Sequence, residues 1–180
     1  MAGKLNIYLI GLSGTGKTRS GQLVAESLGW PFVEMDGVIE DRSGKTIPDI
    51  FKYNGEEFFR DMESQILEEV AKRGGRIVST GGGVPIRSQN RKIMNSTGLV
   101  IRLTATPQTL HKRLTVSAKR RGRGVRPLLG NDAPIKKIEN MMIAREKAYS
   151  SANITLDTEN KSHQQVAKMI IEAWRNNERA

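Results

Sequence analysis

The sequence predicts an α/β fold, a parallel sheet with helices packed on both faces. Two observations carry that prediction. Short apolar runs alternate with longer amphipathic segments from one end of the 180 residues to the other. The octapeptide Gly11-Leu12-Ser13-Gly14-Thr15-Gly16-Lys17-Thr18 has the form G-x-x-x-x-G-K-[ST] and falls between the first run and the first amphipathic segment. That is the strand–loop–helix context in which such a loop binds phosphate. Its glycines let the backbone turn its N–H groups into one hollow. The helix that starts at its end adds a positive dipole and unpaired N–H groups. In this motif Lys17 reaches the β- and γ-phosphates and the Thr18 hydroxyl holds Mg²⁺.

The elements follow in order. Strands are expected at residues 5–10, 31–35, 76–79, 99–103 and 154–157, each a short apolar run. Helices are expected at residues 17–28, 57–72, 89–95, 107–118, 134–149 and 163–175. Thr106 before Pro107 reads as a cap and a first-turn proline, and Ser162 with Gln165 reads as a capping box. Ile47, Ile50 and Phe51 are spaced for a short helix face. Phe59, Met62, Ile66, Leu67 and Val70 form the core stripe of the helix that follows. No internal repeat, heptad run or low-complexity linker interrupts the pattern, so one domain spanning residues 1–180 is expected.

Ligands of such sheets sit at the carboxyl ends of the strands, so the residues following each strand matter most. After the second strand come Glu34 and Asp36, which strand alternation places on one side with Met35 opposite. Two carboxylates there can position Mg²⁺ or orient a hydroxyl nucleophile, or they can be solvated or cap a helix. Arg60, in the first turns of its helix, either leans over the site or lies on the surface. After the third strand come Gly81, Gly82 and Gly83. They suit a close approach by a ligand or a neighbouring backbone, with N–H groups offered to an anion; a flexible strand exit is the alternative. Residues 119–130 are the most basic stretch. Gly122, Gly124 and Pro127 break it, as suits a lid that brings arginines over phosphates. A nucleic-acid tether is the competing reading, and the absence of aromatic residues from the stretch weighs against it. Arg145 and Tyr149, four residues apart, share one helix face.

Composition narrows the possibilities. The chain has no cysteine, which excludes a disulfide framework and a thiolate metal site. The first residues carry no long apolar stretch, so neither a signal peptide nor a membrane span is expected, and a cytoplasmic location follows. The net charge of +10 suits anionic ligands. No apolar stripe is left unassigned, so a monomer is expected, with small-molecule ligands and neither nucleic acid nor a membrane as partner.

Together these residues resemble the shikimate kinase family, P-loop enzymes of the nucleoside-monophosphate-kinase-like fold. The resemblance runs along essentially the whole chain. It rests on the P-loop, the acidic strand end before Ile39-Glu40, Gly44 with Ile47 and Ile50-Phe51, and Gly55-Glu56 with Phe59-Arg60 and Glu63. It continues through Gly81-Gly82-Gly83, Arg126-Pro127-Leu128-Leu129, and Arg145 with Tyr149. It implies a five-stranded parallel sheet, a substrate-binding segment at about residues 33–62 and a lid at about 117–131. It also implies transfer of the ATP γ-phosphoryl group to the 3-hydroxyl of shikimate, with Mg²⁺. In that comparison Lys17, Asp36 and Arg126 are catalytic. Gly11, Ser13, Gly14, Thr15, Gly16, Lys17, Thr18 and Arg126 meet the phosphates. Asp36, Arg60, Gly81, Gly82, Gly83 and Arg145 bind shikimate, Arg60 and Arg145 through its carboxylate. Thr18 binds Mg²⁺, and Glu34 contacts it through water. The family usually has aspartate where this chain has Glu34, one methylene longer. For the adenine the resemblance points to Lys119, Arg120 or Arg121 and to residues 157–161. The alternatives are a kinase of the same fold acting on gluconate or a nucleoside monophosphate, an inactive relative, and a non-enzymatic basic nucleotide- or nucleic-acid-binding protein.

Overall fold

A computed structural model describes residues 5–121 and 134–178 of the chain. Five strands, β1 (Asn6–Ile10), β2 (Phe32–Glu34), β3 (Ile77–Ser79), β4 (Gly98–Thr104) and β5 (Ile154–Asp157), make one sheet in the order β2-β3-β1-β4-β5. Every pairing is parallel, with Ile7 beside Ile77 on one flank and Leu99 on the other. The helices are α1 (Lys17–Leu28), α2 (Met35–Ser43), α3 (Ile47–Tyr53), α4 (Gly55–Ala71), α5 (Ser88–Thr97), α6 (Pro107–Arg121), α7 (Ile135–Tyr149) and α8 (His163–Glu178). A 3-10 turn spans Val84–Ile86.

Side-chain alternation along the central strand divides the core into two layers. Ile7 and Leu9 join Ile77, Leu99 and Ile101 under α1 and α8, where Val24, Val166 and Ile170 close the layer. Trp30 meets the edge of Trp174 there, with ring centroids 5.3 Å apart. Tyr8 and Ile10 point the other way, to Val78, Val100, Ile66, Leu67 and Met94 beneath α4 and α5. All five residues of β1 are buried, as a strand covered on both faces requires. The expected stripe of α4 is buried throughout.

Local signals set several ends. The Thr106 hydroxyl accepts from the Thr109 N–H at 3.3 Å. Ser162 and Gln165 exchange both bonds of the capping box, at 2.8 and 3.2 Å.

Two expectations are corrected. The second strand stops at Glu34, and α2 follows without a loop, so the strand alternation invoked for Glu34 and Asp36 does not apply. Glu34 is instead the N-cap of α2, its Oε2 accepting from the Gly37 N–H at 2.8 Å, and Asp36 sits in the first helical turn. Carboxylates at a helix N-terminus offset its dipole and its unpaired N–H groups, which here outweighs extension of a short edge strand. In addition, α6 runs to Arg121, past the expected end at residue 118, so the basic stretch begins as helix.

Candidate active site

The carboxyl ends of β1, β2 and β3 bring three segments together. The first is the loop after β1. Gly14 and Gly16 have φ of 89° and 95°, left-handed values that turn the chain tightly into α1, with Gly16 as its N-cap. Ser13 and Gly14 form the tip. Thr15 Oγ1 donates to the Leu12 carbonyl at 2.8 Å, and Lys17 Nζ donates to the Gly11 and Leu12 carbonyls at 2.7 and 3.1 Å. The ammonium is thereby held along the loop. Thr18 Oγ1 lies 3.4 Å from Ser79 Oγ, which joins the loop to the end of β3.

The second segment is the triple glycine after β3, and its lack of side chains has a direct reason. A β-carbon on Gly83 would lie 1.8 Å from Arg60 Nη1 and 2.4 Å from its Cζ. On Gly81 it would lie 2.6 Å from Glu63 Oε1 and 2.8 Å from Asp36 Oδ1. On Gly82 it would lie 3.2 Å from Arg145 Nη1 and 3.4 Å from the Gly11 carbonyl oxygen. Asp36 of α2, Arg60 and Glu63 of α4, and Arg145 of α7 therefore converge on one turn that adjoins the phosphate loop. Arg145 Nη1 and the Tyr149 hydroxyl both donate to the Gly82 carbonyl, at 2.9 and 2.8 Å. The shared face of α7 expected from their spacing is thus realised. The sequence suggested N–H groups as the turn's contribution; the bonds from α7 instead engage a carbonyl.

The third segment is the start of α4. Arg60 is only 6% exposed. Its Nη1 donates to Glu63 Oε2 at 2.6 Å, while Nε and Nη2 donate to Glu56 Oε1 at 3.2 and 2.8 Å. Burial works against the Arg60 charge, but the neighbouring Glu63 and Glu56 carboxylates more than offset it and hold the guanidinium above its ordinary value. Glu63 also moves upward, which for a carboxyl favours the neutral form. Burial pushes its carboxyl up to about 7, against the pull of Arg60. The two shifts differ because Arg60 has two anions around it, whereas Glu63 is 1% exposed and its Oε1 meets no donor among the described residues. Burial, with the nearby Asp36 charge, also raises Glu34.

Several participants escaped the sequence reading. Glu63 carried part of the resemblance but no role, although it lies one turn after Arg60. Arg113 of α6 stands outside the basic stretch and belongs to no motif in the sequence. It bridges the phosphate loop and the segment after β5, donating to the Gly14 carbonyl at 3.3 Å and to Thr158 Oγ1 and O at 2.9 and 2.7 Å. His163, at the start of α8, lies beside the same loop; a β-carbon on Gly16 would be 3.4 Å from its Nδ1. Burial and the Arg19 and Arg113 charges hold its imidazole below the ordinary value. Arg126 and most of the segment 117–131 lie outside the described residues, as do the side chains of Lys119, Arg120 and Arg121.

A glycine-rich phosphate loop opening a helix on a five-stranded parallel sheet, with an arginine- and carboxylate-lined recess beside it, defines a P-loop kinase of small molecules. The shikimate kinase family profile matches residues 13–175. A shikimate kinase from Symbiobacterium thermophilum is 39% identical over 93% of this chain and 95% of its own. Another, from Persephonella marina, is 39% identical over 92% and 96%. The solved shikimate kinase from Acinetobacter baumannii, in complex with shikimate, is 33% identical, with a TM-score of 0.87 over 97% of this chain and 94% of that one. This chain belongs to the shikimate kinase family.

Proposed function

We propose a division of labour among these residues for a single reaction. The chain is a kinase that phosphorylates shikimate with ATP; the γ-phosphoryl group passes to the 3-hydroxyl and gives shikimate 3-phosphate and ADP. Arg60 and Arg145 bind the shikimate carboxylate, since guanidinium groups match it with paired N–H donors. The turn of Gly81, Gly82 and Gly83 forms the floor beneath the acid. Asp36 accepts a hydrogen bond from the attacking hydroxyl and takes its proton as the new oxygen–phosphorus bond forms and the bond to the β-phosphate oxygen breaks. Gly11, Ser13, Gly14, Thr15, Gly16 and Thr18 cradle the phosphates, and Lys17 turns from the loop carbonyls to the β- and γ-oxygens. Such a transfer needs alignment and charge neutralisation more than covalent help.

The observation that carries this reading is the convergence of Asp36, Arg60 and Arg145 on one glycine turn that also touches the phosphate loop. Arg126 is assigned to the phosphates on the family resemblance, as part of a lid at about residues 117–131, with a substrate segment at about 33–62.

The donors at the loop also suit Mg²⁺. Thr18 Oγ1 and Ser79 Oγ are neighbouring hard oxygens, and no cluster of three acidic or histidine ligands exists among the described residues. That set fits an ion arriving with the nucleotide and keeping its waters. Thr18 would hold it, and Glu34 would contact it through water with the oxygen not committed to Gly37. When bound, Mg²⁺ neutralises phosphate charge.

We also infer a cytoplasmic monomer that takes no nucleic acid. No helix among the described residues is long and apolar enough to cross a membrane. The large apolar side chains left exposed come from separate elements, among them Tyr53 of α3, Phe58 of α4 and Ile143 of α7. Gel filtration at working concentration tests the monomer.

The experiment for the reaction is ADP release from Mg-ATP with shikimate, gluconate or AMP as acceptor. Release that depends on shikimate alone is expected. Release without an acceptor, or with another preferred, would overturn the assignment.

A further inference from the structure

Glu63 is a buried carboxyl of this recess to which the reaction gives no task. It lies on the inner face of α4, with Oε2 on Arg60 Nη1 at 2.6 Å and Oε1 meeting no donor among the described residues. Oε1 and Asp36 Oδ1 each fall within 3 Å of the point where a Gly81 β-carbon would stand, at 2.6 and 2.8 Å. Two carboxylates thus share one small space, with the acid site alongside. Among the described residues the charges facing Glu63 are Arg60 on its own helix, Asp36 from α2 and Arg145 from α7; Glu56 reaches the group through Arg60. The buried side chains that α3, α5 and the 3-10 turn bring are Ile50, Asn90, Met94, Val84 and Pro85, none of them ionisable.

We propose that binding of the acid substrate is coupled to uptake of a proton by Glu63, which thereby releases Arg60 to the substrate carboxylate. Glu63 is on this view a positioning residue, and the proposal rests on the assignment of Arg60 and Arg145 to that carboxylate. Ionised Glu63 is sustained chiefly by the Arg60 charge. A second carboxylate on the same guanidinium takes up part of that charge and sets a third anion beside Glu63 and Asp36. Among the described residues the site then holds two guanidinium groups against three carboxylates at close range, with Glu56 at its edge, and a proton from solvent restores the balance. It lands on Glu63 Oε1, where the resulting O–H faces Asp36. Asp36 stays ionised for the hydroxyl, and no other bond forms or breaks.

The sign follows. In the free protein Glu63 titrates at about 7; the bound acid raises that value. Well below it Glu63 is already neutral, so binding takes up no proton and affinity is flat with pH. Above it, each unit of pH weakens binding by up to about tenfold until the bound-state value is passed.

The test is isothermal titration of shikimate into the whole protein, in two buffers of different ionisation enthalpy. We expect a clear proton uptake, approaching one, at about pH 8, and almost none at about pH 6. Glu63→Gln, which keeps an oxygen for Arg60, should bind shikimate with no uptake and a pH-flat affinity. Heats of the wild type that do not depend on buffer, or uptake that persists in Glu63→Gln, overturn the proposal while leaving the carboxylate assignment standing. If Glu63→Gln does not fold, the wild-type buffer comparison decides. Shikimate affinity unchanged in both Arg60→Ala and Arg145→Ala would overturn the carboxylate assignment and the proposal with it.

Discussion

Each residue of the recess is held by another whose identity matters as much. Gly83 is the sharpest case, because the Arg60 guanidinium lies where its β-carbon would be. Gly83→Ala should displace that group and raise KM for shikimate roughly tenfold or more, the scale of one charged hydrogen bond, with KM for ATP little changed. Steady-state kinetics with each substrate varied in turn checks this. Asp36→Asn retains shape but cannot take a proton. It should lower turnover by about 100-fold or more while nucleotide binding, followed by titration, stays near normal. Lys17 and the triple glycine were legible because their chemistry is written in consecutive residues. Glu63 was not, because only the approach of Gly81 and Asp36 from distant parts of the chain makes its burial consequential.

Among the elements, α2 separates local from tertiary information. Its nine residues bury only Met35 and Ile39, too few to write a helical period. Its start depends on Glu34, whose carboxylate caps the Gly37 N–H. Glu34→Ala should cost about 1 kcal/mol in chemical denaturation, the usual scale of a lost cap. Glu34→Gln keeps an acceptor and should restore that stability, yet raise the Mg²⁺ concentration needed for half-maximal activity. An unaltered Mg²⁺ requirement would assign Glu34 to the cap alone. The other helices were readable where caps or stripes were contiguous, as in the Ser162 and Gln165 pair and the stripe of α4. The extension of α6 to Arg121 was not, since glycines further on argued for an earlier end.

For the whole molecule, Glu63 has a consequence for stability. Its folded-state value, about 7, lies above the 4.5 of an unperturbed glutamate. The folded protein therefore holds the proton more tightly than the unfolded chain, and this contribution is full below about 4.5 and lost as pH rises through 7. The loss is about 3 kcal/mol, the size of that shift. Glu146 and His163 work the other way: bonds from Arg102 hold the carboxyl, and burial holds the imidazole, below their ordinary values, so both contributions are lost as pH falls, that of His163 within the range where Glu63 gains and that of Glu146 in the carboxylate range. Urea unfolding should accordingly show higher stability near pH 5 than near pH 8. Glu63→Gln should flatten that slope; an equal slope in the variant would place its origin in other groups.

By itself the sequence determined the five strands, the phosphate loop, most helices and the residue types at each strand end, because periodicity, capping and loop chemistry are carried by neighbours in the chain. The tertiary structure alone decided the order β2-β3-β1-β4-β5, the capping role of Glu34, the bridge from Arg113 to Thr158 and the enclosure of Glu63. These depend on which distant segments share a surface. Burial and charge at a point in space are sums over residues that the sequence does not place side by side.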